Sequence, residues 1–343
     1  MKIGVNIGYW SSAGPPPQAA DIVAEADRLG LDSVWTAEAY GSDVLTPLAW
    51  WGSQTSKIRL GTAIAQMSAR EPAAAAMAAI TMDHLSQGRF ILGLGVSGPQ
   101  VVEGWYGKPF AKPLARTREY IEIIRRVLKH DGPVTFEGEQ YRLPLPGGTG
   151  LGKPLKAGVR PLREDLPIFL AAEGPKNVAL AAEVCDGWLA LFYAPEHDDP
   201  YRDALDEGFA REGARRSRND FEIVASVPIV VTDDAEATLD AIRPMYALYF
   251  GGMGSRDKNF HADVARRMGY ESEVDTIQDL YLAGKKDEAA AAIPRSLLEE
   301  LTLVGSREKI LDDLERWKAS QVTTLLVQGT HPGMLEDLAA LAA

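Results

Sequence analysis

The sequence predicts a closed α/β barrel of eight parallel strands, a (β/α)8 TIM barrel with insertions at about 131–166 and 244–303. Three observations carry that expectation. Short apolar runs alternate with helical-period segments eight times along the chain, and eight β/α units are what a barrel needs to close. At 343 residues and 46% hydrophobic, the chain can fill one barrel or two ordinary domains. The run Phe90-Ile91-Leu92 is apolar on both faces, as a parallel strand requires, and glycines follow it at 93, 95 and 98. Glycine at the end of a parallel strand lets backbone approach a flat or anionic ligand closely. Residues 1–343 are read as a single barrel domain.

Strand one is read at Ile3–Gly8, followed by a loop stiffened by Pro15, Pro16 and Pro17 and a helix over about Ala19–Leu29. Strand two is Ser33–Thr36, with Glu38 just beyond it and a helix over about Val44–Ser53. Strand three is Ile58–Ile64. The next helix starts at Pro72, because proline lacks the N–H that a first helical turn leaves unpaired. Gly88 stands where a left-handed C-terminal cap is wanted, and strand four begins at Phe90. Helix four, Pro113–His130, has apolar residues at 121, 124, 127 and 128, which is helical spacing. A small hairpin turning at Glu137-Gly138 and a Gly/Pro-rich loop then interrupt the rhythm.

Strand five is Pro167–Ala172 with a helix from about Pro175, and strand six is Gly187–Leu191 with a helix over roughly 201–213. Strand seven is Ile223–Val231. Its helix is expected after Thr232 as N-cap, with Asp233 and Glu236 favouring the first turn. Residues 244–303 form a Met- and aromatic-rich excursion, read either as a lid over an apolar substrate or as an extra packed helical layer. A last helix follows Ser306, and strand eight is Val322–Val327.

Composition narrows the function classes. A net charge of −12 argues against a broad nucleic-acid or anionic-membrane surface. Cys185 is the one cysteine, so no internal disulfide is possible. With no signal-peptide pattern, a cytoplasmic location is expected. Pro72 to Met82, the longest apolar helix, is too short for a bilayer. The five histidines are scattered without ligand spacing, and no metal is expected.

Two nucleotide motifs are near misses. Gly93-Leu-Gly95-Val-Ser-Gly98 spells G-x-G-x-x-G, but Pro99 follows and no helix is expected to open there. Gly147-Gly-Thr-Gly-Leu-Gly-Lys-Pro154 resembles a phosphate-binding loop but ends in Pro154, where Ser or Thr must hold magnesium.

In barrels the reactive groups stand at the carboxyl ends of the strands. That selects Tyr9, Glu38, Gln66, Ser97, Glu173 and His331; of the carboxylates, Glu173 and also Glu103 are weaker candidates than Glu38, because loops carry many solvated acids. Glu38 could orient a cofactor ring or shuttle a proton, or be held in a salt bridge to Arg70. His331 could be a general base, a phosphate contact or a solvated side chain. Gly174-Pro175-Lys176-Asn177 opens a helix whose free N–H groups favour phosphate. Two stretches lack any acid, Gly104–Arg118 and Leu151–Arg163, and would give one rim positive charge if unpaired.

The chain resembles the luciferase-like family of flavin and deazaflavin enzymes, and within it the coenzyme F420-dependent oxidoreductases of actinobacteria. The resemblance rests on Val34-Trp-Thr-Ala-Glu-Ala-Tyr40, Ile58-Arg-Leu-Gly-Thr62, Asp83-His-Leu-Ser-Gln-Gly-Arg-Phe90 with Leu94-Gly95, Gly174-Pro-Lys-Asn177 and Cys185-Asp-Gly-Trp188, which span most of the chain in family order. It implies a luciferase-like barrel, a homodimer, and F420 lying across the strand ends. It implies a non-prolyl cis peptide at Ala63–Ile64, with Glu38 reaching the deazaflavin ring as the candidate catalytic residue. Ala63, Ile64, Gln66, Gly95, Val96 and Ser97 would line the ring, and Ala171, Ala172, Gly174, Pro175, Lys176 and Asn177 would hold ribityl and phosphate. The sugar-phosphate dehydrogenases of the family carry a histidine where this chain has Ala39, and a glutamate after strand four where it has Ser97-Gly98-Pro99. Sugar-phosphate oxidation is therefore not expected, and no catalytic acid is assigned. The expected function is hydride transfer between F420 and a small organic substrate. An FMN-dependent monooxygenase is the alternative, and a non-catalytic F420- or flavin-binding protein the third.

Overall fold

Eight parallel strands close on themselves in the computed structural model, which describes residues 1–8, 10, 12–256, 258–328 and 332–342. They are β1 Lys2–Gly8, β2 Ser33–Thr36, β3 Arg59–Thr62, β4 Phe90–Gly95, β5 Ile168–Ala171, β6 Gly187–Leu191, β7 Glu222–Val231 and β8 Thr324–Gln328. Each pairs in parallel with its sequence neighbour, and β8 returns to β1 with Gly4 opposite Leu326. The eight-unit rhythm therefore yields the barrel that was expected.

Side chains alternate across each strand, and the inward set forms one cluster: Trp35, Ile91, Phe169, Leu189, Val224 and Leu326. Trp35 dictates what its neighbours can be. A Cβ on Gly61 would lie 2.2 Å from its ring, and one on Gly93 would lie 1.8 Å from the Thr62 carbonyl oxygen. Toward the carboxyl ends the inward side chains shrink to Ala63 and Ala171, with Ile64 beside them, all only partly buried. The barrel is thus plugged at its waist, and its floor toward the carboxyl rim is built of small side chains.

The motif segments brace the opposite rim. Buried Asp186 accepts from Arg125, Arg215, Arg216 and the Ile168 N–H. Asp83 is paired with Arg163, and Arg89 donates to the carbonyls of Thr55, Ile58 and Ser86. At the carboxyl end instead, Trp188 donates from Nε1 to the Ala172 carbonyl at 2.8 Å, just past the end of β5.

Several boundaries differ from the sequence reading. Strand three ends at Thr62, the Ala63–Ile64 peptide that follows is cis, and Ala65–Gln66 rejoins the sheet beside Leu94 and Gly95. A short helix, Pro99–Gly104, does open after Gly98, against expectation; its strand is nonetheless a barrel strand, so no dinucleotide fold follows. The hairpin pairs Phe136–Glu137 with Arg142–Leu143, so its turn is 138–141. The Glu119 carboxylate holds that turn by accepting from the N–H groups of 139, 140 and 141. The helix after β6 is Asp199–Phe209. The helix after β7, Ala235–Ala247, is capped by Asp234, not Thr232. Thr232 is still part of the sheet edge, its N–H donating to the Gly305 carbonyl at 2.8 Å.

The excursion after Ala247 folds into helices Phe260–Arg267, Glu271–Leu282, Lys286–Ala291 and Arg295–Leu301. Tyr246, Phe250, Met268, Ile277 and Leu297 bury together there in a cluster of their own. Its apolar residues are packing for an extra helical layer, which accounts for them without a lid. Among the described residues no helix is long and apolar enough to cross a membrane.

Candidate active site at the carboxyl rim

Glu38 emerges two residues after β2 with a side chain only 5% exposed. A buried carboxylate needs partners, and it has them. Its Oε1 accepts from the Gln66 N–H at 2.8 Å and from Arg70 Nη1 at 2.5 Å, and its Oε2 accepts from Arg70 Nη2 at 3.1 Å. The backbone joins in: Gln66 Nε2 donates to the Glu38 carbonyl at 3.1 Å, and Glu38 N–H donates to the Ile64 carbonyl at 3.3 Å. Arg70 also bonds Asp43, and Tyr120 donates its hydroxyl to the Arg70 carbonyl. Burial works against the charge of Arg70, but the Glu38 and Asp43 carboxylates more than offset this and raise its pKa. The salt bridge weighed from the sequence is present, and it ties Glu38 to the bend at Ile64–Gln66.

Gln66 is buried, yet its Oε1 has no hydrogen-bond partner among the described residues. Ile64 packs where a Cβ on Gly95 would fall, 2.7 Å from its Cγ1. Ser97 follows β4 with φ +59°, an uncommon conformation for a non-glycine residue and one that gathers at functional sites. Beside Val96 a small cleft is lined by Met67, Ser68, Val102, Phe110 and Arg116.

On the β5 side, Gly174 caps the helix Pro175–Val184, and the space over its Cα is empty. Lys176 is exposed in the first turn. Asn177 donates weakly from Nδ2 to the Ala171 carbonyl at 3.4 Å, while its buried Oδ1 is unpaired. An acceptor so placed suits a hydroxyl better than a phosphate, which leaves anion contacts to backbone N–H groups and Lys176.

The structure therefore gathers Glu38, Ala63, Ile64, Gln66, Gly95, Val96 and Ser97, together with Ala171 to Asn177, along the consecutive ends of β2 to β5 on the carboxyl rim. Tyr9 and His331 lie outside the described residues. Glu103 serves locally, accepting from the Phe110 N–H. The acid-free stretches give little free positive charge, because acids from elsewhere meet them: Glu71 pairs Lys108, Glu139 pairs Lys112, Glu183 pairs Arg118 and Asp83 pairs Arg163. Among the described residues no cluster of His, Cys, Asp and Glu could hold a metal.

Two features were not read from the sequence. Asp43 is the second acid on Arg70. His261, from the excursion, lies with Nδ1 2.6 Å from Glu173 Oε1 at the end of β5. Neither pairing follows a local pattern; the second joins residues separated along the chain by β6 and β7.

Comparison with known proteins places this geometry. The model for luciferase-like monooxygenases matches residues 1–324. A Mycobacterium tuberculosis protein provisionally named a coenzyme F420-dependent oxidoreductase is 57% identical over 343 residues, covering 99% of both chains. A 5,10-methylenetetrahydromethanopterin reductase of Archaeoglobus fulgidus is 26% identical over 307 residues, 88% of this chain and 86% of that one. The structure of the coenzyme F420-dependent tetrahydromethanopterin reductase from Methanopyrus kandleri superposes with a TM-score of 0.80 at 22% identity, covering 99% of this chain and 96% of that one.

Proposed function

The chain belongs to the luciferase-like monooxygenase family, and from that premise we propose that it is a coenzyme F420-dependent oxidoreductase acting at the carboxyl rim of the barrel. F420, when bound, supplies or accepts a hydride at its deazaflavin C5, and the partner is a small organic molecule in the same mouth. The observation that carries this reading is the pairing of a shrunken barrel floor, Ala63 and Ala171, with buried acceptors left unpaired at its edge, Gln66 Oε1 and Asn177 Oδ1. A flat ring fits over small side chains, and its lactam N–H gives Gln66 the bond it lacks. Ile64, Gly95, Val96 and Ser97 then line the ring. Ala171, Ala172, Gly174, Pro175, Lys176 and Asn177 hold ribityl and phosphate.

Within this proposal Glu38 positions the wall and does not move a proton, because both of its oxygens are committed to Arg70 and Gln66. The preference for F420 over FMN is supported by the name of the 57% identical relative. We also propose a homodimer, for which the exposed Trp50, Met77, Leu85 and Leu162 offer apolar surface. Parallel titrations with F420, FMN and NADPH test the cofactor. Saturable quenching of F420 fluorescence at micromolar protein is expected; binding of FMN without F420 would overturn the reading.

A further inference from the structure

The excursion delivers one titratable pair to the rim that the reading above leaves unused. Glu173 stands between β5 and Gly174, and His261 lies in the first turn of the helix Phe260–Arg267. Their side chains are 13% and 22% exposed, with Nδ1 and Oε1 2.6 Å apart. The histidine is rigidly presented. Buried Asn259 caps its helix, accepting from the N–H groups of His261 and Ala262 and donating to the carbonyls of Tyr249 and Phe250. The rings of Phe192 and Tyr249 meet the imidazole edge-on, at 5.8 and 5.0 Å between centroids. Phe192 itself follows β6 with φ +57°, a conformation costly for a bulky residue. Arg267, on the same helix, donates to the Glu173 carbonyl at 2.8 Å and to the Tyr201 hydroxyl at 3.4 Å. The titratable and charged groups facing the pair are thus Arg267, Tyr201 and Tyr249.

A carboxylate that holds Nδ1–H fixes the tautomer and makes Nε2 the working atom. Among the described residues, none is hydrogen-bonded to Nε2. We infer that His261, oriented by Glu173, is the acid–base group of this mouth, so that the substrate is a carbonyl compound or the corresponding alcohol. The inference rests on the hydride-transfer reading. In the reducing direction a hydride from the reduced deazaflavin forms the new C–H bond, and the C=O π pair moves onto oxygen. The O–H bond forms as the N–H bond at Nε2 breaks; the neutral imidazole regains its proton from solvent. Alcohol oxidation is the same step reversed. An iminium substrate would take the hydride with no proton at its heteroatom and would give this pair nothing to do. Burial alone would lower the imidazole pKa; the Glu173 carboxylate more than offsets it and holds the pKa above its ordinary value.

The test uses the full chain and the variants His261→Gln and Glu173→Gln. Without cofactor, NMR titration of the His261 ring should show a pKa above the ordinary ~6.5, falling in Glu173→Gln. With F420, His261→Gln should bind as wild type does. Turnover on a panel of aliphatic and cyclic ketones and secondary alcohols should fall roughly 10²–10⁴-fold in His261→Gln, and the pH limb should move in Glu173→Gln. Three outcomes overturn the role alone: turnover of His261→Gln within threefold of wild type, a ring titration unmoved by Glu173→Gln, or no turnover of any carbonyl or alcohol by wild type that binds F420. A wild type that binds no F420 overturns the hydride-transfer reading and this role with it.

Discussion

Glu38→Gln asks whether the carboxylate acts as a strut or as a reagent. The amide oxygen of glutamine can still accept from Gln66 N–H, but its NH2 group would face the guanidinium of Arg70, donor against donor. Breaking a buried ion pair costs about 3–5 kcal/mol. Arg70 is 21% exposed and keeps Asp43, so about 2–3 kcal/mol is expected. Unfolding entropy of about 2.1 cal/mol/K per residue over 343 residues is about 0.7 kcal/mol/K, so Tm should fall by about 3–4 °C. Glu38→Ala also strips the acceptor from Gln66 N–H, adding about 1–3 kcal/mol and roughly doubling the shift. Scanning calorimetry gives Tm, and F420 titration gives affinity, which should weaken in parallel as the Ile64–Gln66 wall loosens. If Glu38→Gln leaves Tm and affinity unchanged while abolishing turnover, the strut argument is wrong and Glu38 works on the reaction directly.

Other consequences follow from the same geometry. Gly93→Ala would drive a Cβ to 1.8 Å from the Thr62 carbonyl oxygen, which backbone cannot cheaply avoid; a loss at or above about 3 kcal/mol is expected in denaturant melts, whereas a wild-type midpoint would contradict the packing described. The raised pKa of His261 means that its ion pair stabilises the fold fully below about pH 6.5 and loses that contribution as pH rises through the folded value. Glu173→Gln should therefore flatten the difference in stability between pH 6 and pH 9, and an unchanged difference would exclude the pair as its source. Cys185 is fully buried, and burial pushes its thiol pKa up; it should resist thiol reagents until the protein unfolds, and labelling at the rate of a free thiol under native conditions would contradict that burial.

Much of the barrel was legible because short, wholly apolar strand runs alternate with helices of 3.6-residue period along the chain. The helix Pro113–Lys129 buries Ile121, Ile124, Val127 and Leu128, the face read from spacing alone. What was misread depended on distant partners. Thr232 looked like a cap because it is a good one locally, but a sheet bond to Gly305 holds it back. The basic stretches looked electropositive because Glu71, Glu139 and Glu183, which neutralise them, come from other elements. Arg70 could be named as a partner for Glu38 because both follow adjacent strands. His261 could not be named for Glu173, since only the folding of the excursion brings them together. An asparagine two residues before a histidine, where it can cap the amphipathic helix Phe260–Arg267, was the one local sign.

The central claim is that the carboxyl rim seats a planar redox cofactor over its small side chains. It is tested most directly by titrating F420 against wild type and Ala171→Trp, with Tm recorded for both. Wild type should bind saturably at micromolar protein, and the variant, folded but with its mouth filled, should lose that binding. Equal binding by the two folded proteins would show that the cofactor sits elsewhere.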